Sequence, residues 1–269
     1  MRPGARVLLV NADDFGIYPA ANAAVIDAID HGIAASCSVM VLGPGAPDAL
    51  RMLADRPDIA FGVHLTLVTD FPDQQWRIRT SGRSLLDATG RMFGSDDRAG
   101  LLRSARIDEV EAEFRAQLEV VLEAALTPTH LDWHCLADGG RADIFDVTLM
   151  LADEYGIAVR AWLEPARRRL RARGLPVVDH DFLDSFSIER PGKAARYVQL
   201  LRDLPAGLTE WAVHPALANA DDSSSWVRRT DHEFLVSAQA REVVEEEGIT
   251  VIGWSTLLER WRHPGGAPA

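Results

Sequence analysis

Short runs rich in Val, Ile and Leu alternate along this chain with longer segments whose apolar residues return every three or four positions. Repeated βα units around a parallel sheet require that alternation. The apolar runs predict strands at residues 6–12, 36–42, 59–67, 129–134, 157–161, 211–214 and 250–254. The amphipathic segments predict helices at 20–31, 47–54, 107–126, 144–155, 192–202 and 232–247. Gly32, Gly156 and Gly248 each follow a predicted helix, where a left-handed residue closes the last turn. The fold class expected is α/β: a (β/α) barrel or an incomplete, distorted barrel, in a single domain over residues 1–269. Residues 68–100 and 163–190 lack the repeat and read as long loops, of the kind that cover sites. The Pro- and Gly-containing tail at 263–269 reads as frayed.

Within the strands, the polar positions are more telling than the apolar ones. Side chains alternate faces along a strand, so His130, Asp132 and His134 share one face while Leu131 and Trp133 take the other. Three metal-competent groups line up there. Gly62, His64 and Thr66 share a face in the same way, as do Glu210 and His214, and Pro215 ends that last strand. In Asn11-Ala12-Asp13-Asp14-Phe15-Gly16 two adjacent carboxylates reach the end of a buried strand, and both can enter one pocket only if the strand stops there. Each segment has a plainer reading when taken alone, a helix cap for an Asp or a hydrogen-bonded core position for a His. Coincidence of all four at one end of one sheet favours a site, because the C-terminal strand ends of a parallel barrel carry its chemistry. One carboxylate with two imidazoles makes an open metal site, a second carboxylate suits a general base, and a further imidazole suits a general acid. That inventory describes metal-assisted hydrolysis.

Composition narrows the partners. A formal charge of -12 argues against nucleic-acid binding or an anionic membrane surface, and the run Arg167-Arg168-Arg169-Leu170-Arg171 reads as a solvated helix face. The 2 cysteines, Cys37 and Cys135, make no disulfide framework and suit a reducing cytosol. With no apolar leader or bilayer-length apolar stretch, the expected protein is soluble and cytoplasmic.

The motifs resemble those of the YdjC-like (ChbG-type) carbohydrate deacetylases. The resemblance rests on Asn11 to Gly16 with Asn22, Gly32-Ile33 leading to Ser36-Cys37-Ser38-Val39-Met40, Gly62 to Leu67, Pro128 to His134, and Glu210 through His214-Pro215. It implies a barrel-like deacetylase fold, a divalent cation (Mg2+ or Zn2+), and removal of an acetyl group from an acetylated amino sugar or short oligosaccharide. Carried over by position, it implies Asp14, His64 and His134 as metal ligands, Asp13 as general base and His214 as the acid that protonates the leaving amine. Asp132 and His130 would orient a ligand imidazole or a substrate hydroxyl, Arg160 would bind the sugar or steady Asp13, and Glu210 would support the site. A homodimer is the family-level expectation. Two alternatives stand beside it: a metal-dependent hydrolase of another acyl amide or ester, and a carbohydrate-binding relative without turnover. The acid, base and open metal site argue against the second. After His134, where many members carry further histidines, this chain reads Cys135-Leu136-Ala137-Asp138-Gly139-Gly140, so substrate contacts from that loop must differ. Cys135 has two readings, a soft extra ligand or plain packing, and the apolar Leu136 beside it favours packing.

Overall fold

A computed structural model describes residues 4–71, 76–181, 183–188, 192–217 and 225–263. The chain runs β1 (Arg6–Phe15), α1 (Pro19–Asp30), β2 (Ser36–Val39), α2 (Ala46–Asp55), β3 (Phe61–Leu65), β4 (Val68–Thr69), β5 (Phe93–Gly94), α3 (Arg98–Ser104), α4 (Ile107–Glu123) and β6 (His130–Trp133). It continues through α5 (Ala142–Tyr155), β7 (Ala158–Val159), α6 (Glu164–Ala172), β8 (Leu183–Asp184), α7 (Lys193–Arg202), β9 (Gly207–Val213), α8 (Ser225–Leu235), α9 (Ala238–Glu246), β10 (Thr250–Ile252) and α10 (Trp254–Arg262). The main sheet is parallel, in the order β7-β6-β3-β2-β1-β9-β8. Strand β1 shares one side between two partners: β10 pairs with Val7 to Leu9, and β2 with the half from Asn11 to Phe15. Strands β7 and β8 end the order and are not paired with each other among the described residues. The fold is therefore an incomplete (β/α) barrel, as the alternating pattern predicts.

The centre of this arrangement is apolar for a simple reason. Leu8, Leu9 and Val10 are fully buried with neighbours on both faces, so a strand there must be apolar throughout rather than alternate. Toward its C-terminal end β1 changes character. The register of its pairing with β2 shifts between Ala12 and Phe15, and Asp14 adopts a left-handed φ of 65°. This bulge corrects the expectation that the strand stops before Asp13: β1 continues to Phe15, and the bulge breaks the alternation of faces.

Other boundaries differ for identifiable reasons. The helix expected over 232–247 is two helices, because Ser237 caps α9 by accepting from the Ala240 N–H. Segments 68–100 and 163–190 carry short elements, β4, β5, the start of α3, α6 and β8, rather than plain loop. Helix α6 holds the arginine run, yet Arg167 is largely buried and pairs with the exposed Glu164 and Asp181. Gly156 and Gly248 are left-handed as expected, at φ 66° and 60°. Gly32 is not among the left-handed glycines; a Cβ there would lie 2.6 Å from the carbonyls of Ala28 and Leu235, so its role is the close approach of α1 to α8. The expected frayed tail falls, beyond His263, outside the described residues. No helix among the described residues is long and apolar enough to cross a membrane.

Candidate active site

Buried charge concentrates at the C-terminal ends of β1, β3, β6 and β9. Arg160, just past β7, is 1% exposed and supports much of it. Its guanidinium forks onto Asp13 (Nη1 to Oδ2 2.8 Å, Nη2 to Oδ1 2.9 Å), reaches Asp132 Oδ2 at 2.8 Å, and gives its Nε–H to Glu210 Oε1 at 2.8 Å. An unpaired buried cation or carboxylate would be strongly destabilising here, so each accounts for the others. Burial alone would raise Asp13, but the Arg160 guanidinium outweighs it and holds the carboxyl below its usual range. Glu210 goes the other way. Burial, with Asp13 and Asp132 nearby, outweighs the single Arg160 contact and pushes Glu210 up to about 7.

Asp14 faces a different set of partners. Its Oδ1 lies 3.3 Å from His64 Nε2 and 3.1 Å from His134 Nδ1, while Oδ2 is held by the buried Arg228 at 2.7 Å. Arg228 thus occupies one carboxylate oxygen and leaves the other turned to the two imidazoles. Burial opposes ionisation of Asp14, yet Arg228 and His134 keep it well below the usual carboxylate range. His64 presents its other nitrogen, Nδ1, to Asp132 Oδ1 at 2.9 Å, which orients the ring and turns Nε2 toward Asp14. Burial lowers His64, but Asp132 and Asp14 prevail and push it up to about 10.

These groups include the carboxylate and two imidazoles expected from the sequence. Asp14, His64 and His134 offer donor atoms that all lie within 4.8 Å of one another. Their 3.1 and 3.3 Å separations match the spacing of neighbouring ligands around a cation with bonds of about 2.0–2.1 Å. Hard oxygen plus imidazole nitrogen suits zinc and similar divalent ions, so the donor set fits the cation that the motifs imply.

His214 follows β9. Its backbone N–H donates to Asp231 Oδ2 at 2.8 Å, and its Nδ1 meets the Ser185 hydroxyl at 2.9 Å. That leaves Nε2 turned to Asp13 Oδ2 across 4.0 Å. Asp231 is held in turn by the Tyr197 hydroxyl and by Lys193 at 3.0 Å.

His130 is the predicted site residue that stands apart. Fully buried, it stacks on Trp254 at 4.3 Å and approaches Asp132 only at 3.7 Å. Its ring packs over Gly62, where a Cβ would meet it at 2.5 Å. Cys135 packs against the core as expected, and its Sγ also lies 3.4 Å from His134 Nε2 and 3.8 Å from Asp70 Oδ1. Downstream, Asp138 accepts from the Trp162 and Leu163 N–H groups at 2.8 Å each, tying that turn to the segment after β7. Four partners were not legible beforehand: Asp70, Ser185, Arg228 and Asp231. Nothing in the local patterns of Arg228 and Asp231 separates them from surface polar residues; Asp70 and Ser185 had a signal, since each lies in a segment that broke the repeat, Asp70 just past a strand end.

An incomplete barrel thus carries, at its strand ends, a carboxylate and two imidazoles beside an arginine-held carboxylate. The model of the family described as YdjC-like protein matches residues 7–246, and the chain belongs to that family. It is 30% identical over 259 residues to the carbohydrate deacetylase of Brevibacillus brevis, covering 93% of this chain and 99% of that one. The carbohydrate deacetylase of Geobacillus stearothermophilus is 30% identical over 255 residues, covering 92% and 96%. Among solved structures, a protein of Enterococcus faecalis described as a cellobiose-phosphate cleavage protein has a TM-score of 0.79 at 24% identity, covering 94% of this chain and 99% of that chain. A family 4 carbohydrate esterase from Streptomyces lividans shares the fold more distantly, with a TM-score of 0.50 at 11% identity over 92% of each chain.

Proposed function

We infer that the protein is a metal-dependent hydrolase that removes the acetyl group from the N-acetyl amine of an amino sugar or short oligosaccharide. The observation that carries this reading is the convergence of Asp14, His64 and His134 beside Asp13 and His214, which face each other across 4.0 Å. Relatives of nearly the same length named carbohydrate deacetylases support the substrate class.

Asp14, His64 and His134 would hold the divalent cation, Mg2+ or Zn2+. Bound there, it would supply Lewis-acid polarisation of the acetyl carbonyl and lower the pKa of the attacking water. Asp13, kept ionised by Arg160, takes the proton from the attacking water through Oδ2, the oxygen that faces His214. An amine is a poor leaving group until protonated, so the reaction also needs an acid on the leaving nitrogen. His214 Nε2 supplies that proton. Ser185 occupies Nδ1 and the backbone tie to Asp231 sets the ring's position, so Nε2 is the nitrogen presented to substrate. Asp132 orients His64, and Glu210 holds Arg160 from the side opposite its fork. The turn from Cys135 to Gly140 favours one variation, an acyl amide or ester other than the family's usual substrate, because the histidines expected there are absent.

The test is acetate release from N-acetylated mono- and disaccharides across several divalent ions, with metal analysis of the wild type and His64→Ala. Metal-dependent release that His64→Ala abolishes together with bound metal is the expected result. Absence of bound metal and of metal-dependent release from every acetylated substrate would overturn the reading.

A further inference from the structure

The His134 ring is engaged at both nitrogens. Nδ1 faces Asp14, but Nε2 points the other way, 3.2 Å from Asp70 Oδ2 and 3.4 Å from Cys135 Sγ, and that sulfur lies 3.8 Å from Asp70 Oδ1. The triangle so formed shares only His134 with the one made with Asp14 and His64. Cys135 reaches it through a left-handed backbone, φ 58°, that carries the thiol back against the imidazole of the preceding residue.

We propose that Asp70, His134 Nε2 and Cys135 form a second cation position, selective for soft divalent ions such as zinc or cadmium. Tetrahedral zinc with bonds of about 2.0–2.3 Å sets its nitrogen, oxygen and sulfur ligands roughly 3.4–3.7 Å apart; here Nε2 lies 3.2 Å from Asp70 Oδ2 and 3.4 Å from Sγ, the 3.8 Å contact of the sulfur is to the other carboxylate oxygen, and one donor atom from each residue lies within 4.8 Å of the others. A thiolate ligand discriminates strongly against magnesium, which takes oxygen donors and keeps its waters. Binding is balanced by release of the thiol proton and of any proton on Nε2. Asp70 is 27% exposed and Cys135 is half-buried, so an ion reaches the position from solvent.

Sharing of His134 gives the position a consequence. An ion on Nε2 leaves Nδ1 as an N–H donor to Asp14, which withdraws that nitrogen from the first centre. Soft ions in excess therefore compete with the catalytic cation of the proposed function. That consequence rests on the functional reading, whereas the second position itself does not.

Cadmium titration of the full chain, followed by thiolate-to-cadmium charge-transfer absorption, tests the position directly. Cys37 is fully buried with its thiol pushed up by burial and by Asp132 and Asp13, so Cys135 is the thiol that answers. The wild type is expected to give a saturable band, Cys135→Ser none, and Asp70→Asn an apparent affinity at least tenfold weaker. His64→Ala, which removes a donor from the first centre and none from the second, is expected to retain the band. In the wild type alone, zinc should slow alkylation of Cys135 at least tenfold and magnesium should not. No band in the wild type, a band that survives Cys135→Ser, or alkylation indifferent to zinc would overturn the proposal. Loss of the band in His64→Ala would also overturn it, by placing the thiol on the same ion as His64. Failure of the deacetylase reading leaves these spectra unchanged, so the two are separable.

Discussion

Asp13 and Asp14 are neighbours in the chain with opposite surroundings, and the bulge in β1 is the cause. Asp13 is gripped through both oxygens by Arg160, whereas Asp14 is held through one oxygen by Arg228 and offers the other to two imidazoles. The two substitutions should therefore separate. Asp13→Asn is expected to keep bound metal and lose about 10²–10⁴ in kcat, the usual worth of a positioned acid or base; Asp14→Asn is expected to lose the metal, as measured by elemental analysis. The reverse pattern would exchange the two roles. Glu210 gives a stability prediction of definite sign. Its pKa is raised by burial from 4.5 to about 7, so the unfolded chain gives up this proton first as pH rises. Its contribution to stability is full below 4.5 and is lost as pH climbs through about 7. Glu210→Gln removes that slope. In chelator, urea unfolding should show the variant's deficit relative to wild type larger at pH 5 than at pH 8, by roughly 1–3 kcal/mol at about 1.4 kcal/mol per pKa unit. A deficit larger at pH 8 would mean that the ionised Glu210 and Arg160 pair is a net gain.

At the scale of elements, β3 and β6 show what a period-2 pattern conveys and what it omits. Alternation in residues 59–67 and 129–134 placed His64, Asp132 and His134 on one interior face, and the pairing of His64 with Asp132 across the two strands agrees with it. It did not separate depth along the barrel. His130 opposes Gly62 two residues nearer the N-terminal end, where it packs under Trp254 rather than joining the imidazoles. Gly62 is glycine because the His130 ring occupies the space a Cβ needs, at 2.5 Å. Gly62→Ala is accordingly expected to destabilise by about 1–3 kcal/mol through overpacking. Chemical denaturation of the variant checks the figure, and a second change, His130→Ala, should recover part of the loss if the clash is its source. The elements that sequence left out share a physical reason. Helix α10 begins at Trp254, inside the expected last strand, since local apolar content is the same for a buried strand and a helix face. The bulge at Asp14 depends on pairing with β2, a contact that no local pattern encodes.

Over the whole molecule, protons and cations compete for the same imidazoles, which links pH, metal affinity and stability. Asp132 and Asp14 raise His64 to about 10 against the cost of burial, and burial of His134 is likewise outweighed, by Cys135, Asp70 and Asp14, so it too lies well above the usual histidine range. A raised pKa contributes stability that is full below the ordinary value of 6.5 and fades as pH rises through the folded-state value, about 10 for His64. A cation on Asp14, His64 and His134 must displace those protons, so its affinity climbs over the same window. The two trends have opposite signs: chelated protein should lose stability between pH 6 and 9, and the stabilisation added by a fixed free cation concentration should grow. Saturation at 100 times Kd adds about 2.7 kcal/mol, which for a domain of this size is roughly 5–10 °C in Tm. Scanning calorimetry at buffered free magnesium, with and without chelator, should show that Tm gap widening with pH in the wild type and absent in His64→Ala. A gap that narrows as pH rises would mean that the ion does not displace imidazole protons, and would remove His64 and His134 from its ligands.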